Sequence, residues 1–563
     1  MPTSTLSRSR LLARLGGDVA SDRLEAALFA SKAEATFGEG DALEVSVTPD
    51  RLDLLSEGGL GLHLEGALGL ADGAVRLRRS QAGAAGWRFS VDPSVAPLRP
   101  HLAGVVVRAP AGASLDEGLL AEAVRFQELL HATVGRDRRA MSLGIYRARR
   151  IRPPVRYALE PLSAVEFRPL GAEDRTGAEA FFATHPQAAR YGALGRSGAG
   201  CLTLRDARGT VLSLPPILNG REVGEAAPGD RALLLEATGT RERAVREGLG
   251  LLLVVFVARG WSVMPVPIDG APGPGSDGSG LLEPPARFLP ATLVREMVGS
   301  PLPVGEIAAA LARSRLAARR ARGGWSVRIP PWRPDLLSAV DLVEEVVLAR
   351  GLRAEDGVVP PTTARGRRRG STRFRREVAG LLLGLGFAQP NTTVLVPESA
   401  GARLPGSSPI PLVNPVSREF AAVRDRLLAS HLDVLARNTR HGYPQRFAEV
   451  APVVVRSTGV AAETRYHAGL VIAGEGAGFA DVAATVDYLL RAFDVGSVRE
   501  PAELPGVIAG RGARVRVAGA TVAELGELVP ELLVELAVPV AAAWAEVDLT
   551  ALEPLLARRD STK

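Results

Sequence analysis

The chain is poor in the residues that most often carry metal or redox chemistry. Its 563 residues include one cysteine, Cys201, which excludes a disulfide framework and any multi-cysteine zinc or iron–sulfur centre. The seven histidines are scattered, with no HxxH or HExxH spacing, so a histidine-rich catalytic metal centre is not expected. Lysine is nearly absent, at Lys32 and Lys563 only, and asparagine occurs only at Asn219, Asn391, Asn414 and Asn438. Both amino acids use A-rich codons, so a GC-rich genome accounts for the bias. A lysine or asparagine that persists against it points to chemical need. No apolar run reaches the ~20 residues of a membrane span; the best, 249–258, is about half that. The first residues lack the continuous apolar core of a secretory signal. There is no GxxxxGK[ST] and no usable GxGxxG after a strand, so no ATP cradle is expected in this chain. A cytoplasmic, soluble protein is the expectation.

What is present fits a large globular protein. Apolar residues make up 46% and charged residues 23%, and the length predicts roughly three to five domains. The formal charge of +6 favours a polyanionic partner, mildly for a chain of this size. The pattern divides into an N-terminal α+β segment (1–96), a mixed α/β segment (97–269), a Gly/Pro-rich linker (270–285), a small winged-helix-like segment (286–360) and a C-terminal segment of strands and helices (361–563). In the first, 11–28 reads as one helix and 42–47 as a strand. Asp50 is placed to cap a short helix over 52–58, and a second helical stretch covers 59–70. Ser114 and Glu117 form a capping box for a helix to about 133. Strands are expected at 105–109, 211–217, 232–238 and 262–268. No internal repeat is apparent.

Three constellations could carry chemistry. Asp335 precedes a helix starting near Ser338, on which Asp341, Glu344 and Glu345 fall at i, i+3 and i+4 and so share a face. Like charges at that spacing repel. A hard divalent cation would offset the repulsion; acid-rich capping of the helix start would explain the same residues. Ser213, Asn219, Glu236 and Thr238 lie at the ends of extended stretches, where a carboxylate, two hydroxyls and an amide could orient a water or read a polar substrate. Ordinary strand-end hydrogen bonding would also account for them. Thr48 to Gly58 is a dense polar turn in which Asp50, Arg51 and Asp53 are expected to pair. His131 and His185 read as satisfied core or surface imidazoles. The arginine runs 313–322 and 365–376 are solvated faces or, given a polyanion, phosphate contacts.

Taken in order, several stretches resemble the β subunit of phenylalanyl-tRNA synthetase of the archaeal/eukaryotic type. They are TPDRLDLLSEGG, FQELLHATVGRDRRAMSLGIY, PPVRY, VLSLPPILN, EATGT, IPPWRPDLLSAVDLVEEVVLARG, NPVSREFAAVRDRLLASHLDVLARNTRHGYPQRFAEV and GRGARVRVAGATVAELGELVPELL. The resemblance covers nearly the whole chain. It implies an α+β multidomain fold: an editing domain, an Mg²⁺-associated winged-helix-like module holding metal on Asp335, Asp341, Glu344 and Glu345, and a class II synthetase-like antiparallel domain without a working activation site. It implies an (αβ)₂ heterotetramer, with ATP and phenylalanine bound on α, and with this chain scaffolding α, binding tRNA(Phe) and hydrolysing mischarged Tyr-tRNA(Phe). The implied editing pocket comprises Leu204, Ser213, Asn219, Glu236 and Thr238. Glu236 and Glu345 stand where Asp is frequent, Leu52 where proline is usual, and Gly220 where a small hydroxyl residue is common. An editing-deficient paralogue that only scaffolds, and a stand-alone RNA-binding module, are the alternatives.

Overall fold

The structure, a computed structural model, describes the chain except residues 18, 81–85, 271–282, 284, 352–358, 360, 361, 363, 364, 401–403, 405, 458, 459 and 561–563. The expected linker at 270–285 therefore lies almost wholly outside the described residues. Two compact units emerge, Met1–Val358 and Val359–Lys563.

The first unit opens with β1 (Thr3–Ser7), α1 (Arg8–Arg14), α2 (Ser21–Ala30), β2 (Ala33–Phe37), β3 (Ala42–Val47) and α3 (Glu57–Ala67). β3 follows its apolar alternation: Leu43, Val45 and Val47 are buried and the residues between them are not. The single helix expected over 11–28 is two helices, because Gly16 and Gly17 take positive φ between them. Asp50 caps nothing. Leu52–Leu55 is a 3₁₀ turn, and Ser56 opens α3 by accepting the Gly59 amide at 3.1 Å. α3 is apolar and glycine-rich because it is packed on several sides. A Cβ at Gly59 would lie 1.9 Å from the Asp53 carbonyl oxygen, and one at Gly66 would lie 1.9 Å from that of Arg313.

The middle of the unit holds β4 (Phe89–Val91), β5 (His101–Arg108), α4 (Glu117–Ala132), β6 (Met141–Arg147), β7 (Val155–Pro161), β8 (Glu166–Phe167), β9 (Thr176–Gly177), α5 (Ala178–Thr184), α6 (Pro186–Gly195), β10 (Arg196–Ser197), β11 (Gly200–Arg205), β12 (Val211–Leu214), β13 (Leu218–Asn219), α7 (Arg221–Gly224), β14 (Ala232–Gly239), α8 (Glu242–Val257), β15 (Ser262–Pro265) and β16 (Ile268–Asp269). α4 starts two residues later than the expected box. Asp116 is its cap, accepting the Leu119 amide at 2.7 Å. Two sheets result: antiparallel β15-β5-β14-β6, and β13-β12-β11-β7-β4-β16 with β10 at its side. β14 alternates between two cores. Leu233, Leu235 and Ala237 face the cluster built with α4 and α8, while Leu234 joins Val106, Tyr146 and Tyr157 between the sheets.

The unit ends with β17 (Ala286–Pro290), α9 (Ala291–Val298), α10 (Val304–Arg313), β18 (Ala317–Ala321), β19 (Gly324–Arg328) and α11 (Ala339–Arg350). Its sheet order, β17-β19-β18, repeats β1-β3-β2, and both copies run strand, two helices, hairpin, helix. Each hairpin is followed by Arg-x-Asp-Leu-Leu-Ser, at 51–56 and 333–338. An internal repeat therefore exists where none is apparent in the sequence, because one short shared turn falls below notice without the matching topology.

The second unit is built on a six-stranded antiparallel sheet, ordered Gln445–Ser457, Val460–Ala473, Ala542–Asp548, Ala520–Leu528, Val507–Val517, Val498–Pro501. Helices Gly370–Gly384 and Phe479–Ala492 cover one face, meeting Leu470, Ile472 and Ala545; Leu428–Arg437 and Pro530–Glu535 cover the other, meeting Val471 and Trp544. Burial on both faces is complete only in the middle of the sheet, as in the continuous apolar run 468–473, whereas the edge strand Val498–Pro501 is exposed throughout.

Candidate functional site

A cavity of about 280 Å³ opens in the first unit where β6, β12, β13 and β14 approach the side of α4. Glu236 projects into it from β14, opposite Gly104 of β5 and Gly144 of β6. Gly144 is required there, since a Cβ on it would lie 2.3 Å from the Tyr146 hydroxyl. That hydroxyl is 2.9 Å from both Glu236 Oε1 and Ser213 Oγ. One phenol proton cannot serve both; donated to the carboxylate, it leaves the Ser213 hydroxyl to donate to the phenol oxygen. Ser213 reaches this side through a β-bulge: Leu204 pairs with Ser213 but Arg205 pairs with Val211, so Leu212 is the extra residue. Glu236 is 2% exposed, and its Oε2 is buried with no hydrogen-bond partner. Burial pushes its carboxyl up to about 7, against the pull of Tyr146 and Arg99. Burial and the neighbouring Glu236 push Tyr146 well above the ordinary phenol value.

The remaining walls are locked by hydrogen bonds. His131 Nε2 accepts the Leu143 amide at 2.8 Å and its Nδ1 meets Glu128 at 3.1 Å, so this imidazole is satisfied, as expected, although it lines the cavity. Arg138 donates to both Glu128 oxygens and to the Pro216 and Ile217 carbonyls, tying the prolyl loop down. Arg136, Asp137 and Arg138 all take positive φ, a conformation non-glycine residues adopt at a cost of order 1–3 kcal/mol each. The hydrogen bonds of Arg138 to the loop and to Glu128 offset that cost.

Of the five sequence-assigned pocket residues, Ser213, Asn219 and Glu236 line this cavity. Thr238 sits one layer behind: its hydroxyl is 3.1 Å from that of Ser142, which lines the cavity, and its carbonyl accepts from Arg99. Leu204 is packed in the inter-sheet core with Leu202, Leu212 and Tyr157 and does not line the cavity. Tyr146, Ser142 and Arg138 are site residues that sequence reasoning does not single out. All lie within the motif at 126–146. Polar groups that converge only after β6 pairs with β14 carry no local spacing signal.

The four carboxylates of the second candidate site do not converge: Asp335 and Glu345 share Arg333, while Asp341 and Glu344 have other partners. Arg333 is 3% exposed and binds both oxygens of Asp335, at 2.9 and 2.7 Å, and Glu345 Oε1 at 2.6 Å. Asp341 Oδ2 accepts the amides of Leu337 and Ser338, at 2.9 and 2.6 Å, as the partner of the Ser338 capping box. Glu344 points outward and pairs with Lys32 at 2.6 Å. The expectation that Asp341, Glu344 and Glu345 share a face is corrected: Glu345 is buried and Glu344 exposed. Burial alone would raise Glu345, but Arg333 and Arg51 outweigh it and hold the carboxyl at about 2. A divalent ion here would have to displace Arg333 from two carboxylates and Asp341 from two backbone amides. The arrangement does not fit Mg²⁺, and among the described residues no group of three His, Cys, Asp or Glu is set to hold a metal. The Arg51 and Asp53 pairing holds, at 2.9 Å twice, while Asp50 faces Lys32 instead.

The architecture is that of a subunit of an aminoacyl-tRNA synthetase. Residues 288–352 match the tRNA synthetase B5 domain, and 357–549 match the phenylalanyl tRNA synthetase beta chain CLM domain. The phenylalanine–tRNA ligase beta subunit of Thermofilum pendens is 31% identical over 530 residues, covering 92% of each chain. That of Aeropyrum pernix is 31% identical over 556 residues, covering 98% of this chain and 99% of the relative. The crystal structure of an N-terminal fragment of the phenylalanyl-tRNA synthetase β-subunit from Pyrococcus horikoshii shares the fold, with a TM-score of 0.55 at 24% identity, covering 62% of this chain and 100% of the fragment. The chain belongs to the family of phenylalanine–tRNA ligase beta subunits, a ligase family in which this subunit does not catalyse the ligation. Among the described residues, no helix is long and apolar enough to cross a membrane.

Proposed function

We propose that the cavity hydrolyses tyrosine wrongly attached to tRNA(Phe), while the chain as a whole binds tRNA(Phe) and supports an α subunit that charges it using ATP, in an (αβ)₂ heterotetramer. The observation that carries the pocket reading is Glu236: a buried carboxylate whose Oε1 is fixed by Tyr146 and whose Oε2 has no partner. A buried acceptor left unpaired costs about 1–3 kcal/mol, so a ligand hydroxyl that donates to it gains that amount over one that lacks it. Tyrosine differs from phenylalanine by that hydroxyl. The difference matters because an apolar synthetic pocket rejects an added hydroxyl only about 10²-fold. Thr238, in the second layer, positions Ser142 and does not touch the acyl group. Leu204 supports the bulge that aims Ser213.

The test is deacylation of Tyr-tRNA(Phe) by the heterotetramer. Glu236→Ala lowers its rate by roughly 10- to 100-fold and leaves Phe-tRNA synthesis intact. Discrimination between tyrosyl and phenylalanyl esters rises as pH passes upward through about 7, where Glu236 ionises and accepts the substrate proton. A wild-type heterotetramer with no deacylation above background replaces this reading with that of an editing-deficient scaffold.

A further inference from the structure

A second concavity, of about 640 Å³, adjoins the cavity and carries the opposite chemistry. Arg149, Arg150, Arg175 and Arg208 converge on it, and Glu222 is the one carboxylate among the described residues that line it. Glu222 is engaged by Arg175, at 3.0 Å. Three nearby acids are also engaged. Glu166 stands 3.4 Å from Arg175. Asp230 is held by Arg147 at 3.0 Å and reaches Arg149 only at 4.0 Å. Asp206 accepts the backbone amides of Arg152, Arg208 and Thr210, at 2.9, 3.0 and 2.9 Å, and stands 3.6 Å from the Arg208 guanidinium. Arg208 in turn donates to the Arg150 carbonyl at 2.6 Å, which ties its side chain to the backbone at Arg150. Arg149 and Arg208 remain 71% and 61% exposed. Positive charge at this cleft thus exceeds the negative charge the protein sets against it.

The two concavities have no lining residue in common, but their linings are neighbours along the chain. Val211 lines the basic cleft and Ser213 the cavity, two residues or about 7 Å along one strand. Glu222 and Val223 line the cleft, and the next residue, Gly224, lines the cavity. A polynucleotide carries a phosphate at every nucleotide, so a strand that leaves the cavity on this side would pass the arginines. Guanidinium groups bind phosphate oxygens in pairs and position a strand without reading its bases. Resting on the proposed function above, we propose that this cleft is the phosphate-binding site for the RNA strand whose 3′ end delivers the aminoacyl group to the cavity.

The experiment compares the heterotetramer with a triple variant, Arg149→Gln, Arg150→Gln and Arg208→Gln, and with the corresponding triple lysine variant. KM for deacylation of Tyr-tRNA(Phe) is expected to rise about tenfold or more in the glutamine variant. The slope of log affinity against log salt is expected to fall by about 2, at about 0.7 for each single-strand phosphate no longer neutralised. Lysine retains the charge and restores the slope, whereas a purely structural role would not be rescued this way. Unchanged KM and salt slope, with a wild type that deacylates, overturn the cleft and leave the editing reading standing. If the wild type does not deacylate, the editing reading falls by itself. The cleft is then judged on binding of an acceptor-stem RNA hairpin to the full assembly, where equal salt slopes in wild type and glutamine variant overturn it.

Discussion

The modules at 3–67 and 286–350 have the same element order, the same strand order and the same Arg-x-Asp-Leu-Leu-Ser turn, yet their last helices differ in character. In both, the arginine clamps the aspartate two residues on: Arg51 with Asp53 and Arg333 with Asp335. In both, the serine stands at the helix start: Ser56 accepts the Gly59 amide, whereas the amide of Ser338 is accepted by Asp341. Beyond the cap they part. Three residues after the serine stands Gly59 in one and Asp341 in the other; seven residues after stands His63 in one and Glu345 in the other. α3 carries glycines where backbone approaches closely, and α11 carries acids, one of which turns inward to Arg333. A short motif can thus specify a turn and its cap, while the partners packed around the helix determine its remaining composition. Lys32, one of two lysines in the chain, lies at this junction, 2.6 Å from Glu344 and 3.8 Å from Asp50. Its persistence in a lysine-poor chain matches this pairing role, although it lies in no motif.

The largest effect that would break this comparison is expected from Arg333→Ala. It leaves Asp335 and Glu345 buried and unpaired, and removing one partner of a buried pair costs about 3–5 kcal/mol. Arg51→Ala strands Asp53 and removes part of the charge that holds Glu345 and Asp335, but leaves their hydrogen-bonded partner Arg333 in place, and so costs less. Urea unfolding of the full chain, read on its first transition, gives the order; equal losses would remove the asymmetry between the copies.

Acid separates the copies next. Burial and Arg51 push His63 down to about 3. The unfolded imidazole takes a proton below about 6.5, while the folded one refuses it. The stability that neutral His63 contributes is complete above that value and is lost as pH falls toward 3, at up to about 1.4 kcal/mol per pH unit. Glu345, held at about 2, has the sign of a depressed carboxyl: its contribution is complete above about 4.5 and lost only as pH falls toward 2. Between pH 7 and 5 the N-terminal copy weakens while Glu345 is silent. His63→Gln should flatten the wild-type slope in that window, as seen in denaturation midpoints at pH 7, 6 and 5.

Gly59→Ala comes third. Its Cβ would collide with backbone, and overpacking of that kind costs about 1–3 kcal/mol. Asp341→Ala at the matching position loses only a cap partner, about 1 kcal/mol. Thermal unfolding of the two variants should keep that order. The smallest expected effect is that of Mg²⁺. Because Arg333, Lys32 and backbone amides already satisfy the four carboxylates, melting curves in Mg²⁺ and in chelator should agree within about 1 °C. A stabilisation that grows with free Mg²⁺ would restore the metal reading of the second copy.

The candidate site is half legible in the sequence. Ser213, Asn219 and Glu236 stand out as polar residues on extended stretches, and the structure gathers them around one cavity from two sheets, Glu236 from mid-strand and not from the expected strand end. Tyr146 does not stand out, since nothing local distinguishes a tyrosine packed in a core from one that clamps a carboxylate. Leu204 and Thr238 show the converse: alternation puts them on the right strands and face, but the depth of each beneath the surface depends on what covers it.

The sequence by itself determined the strands with clear alternation, such as Ala42–Val47, and the pairing of Arg51 with Asp53 in the turn that follows. Each of these rests on interactions within a few residues. Tertiary structure alone decided three things. It decided that the acids of α11 meet cations instead of one another. It decided that Glu236 is buried beside a tyrosine and titrates near 7. It decided that two modules sharing one short turn are copies of one fold. The physical reason is common to all three: charge, burial and shape complementarity act between residues that are distant in sequence, and no local period records them.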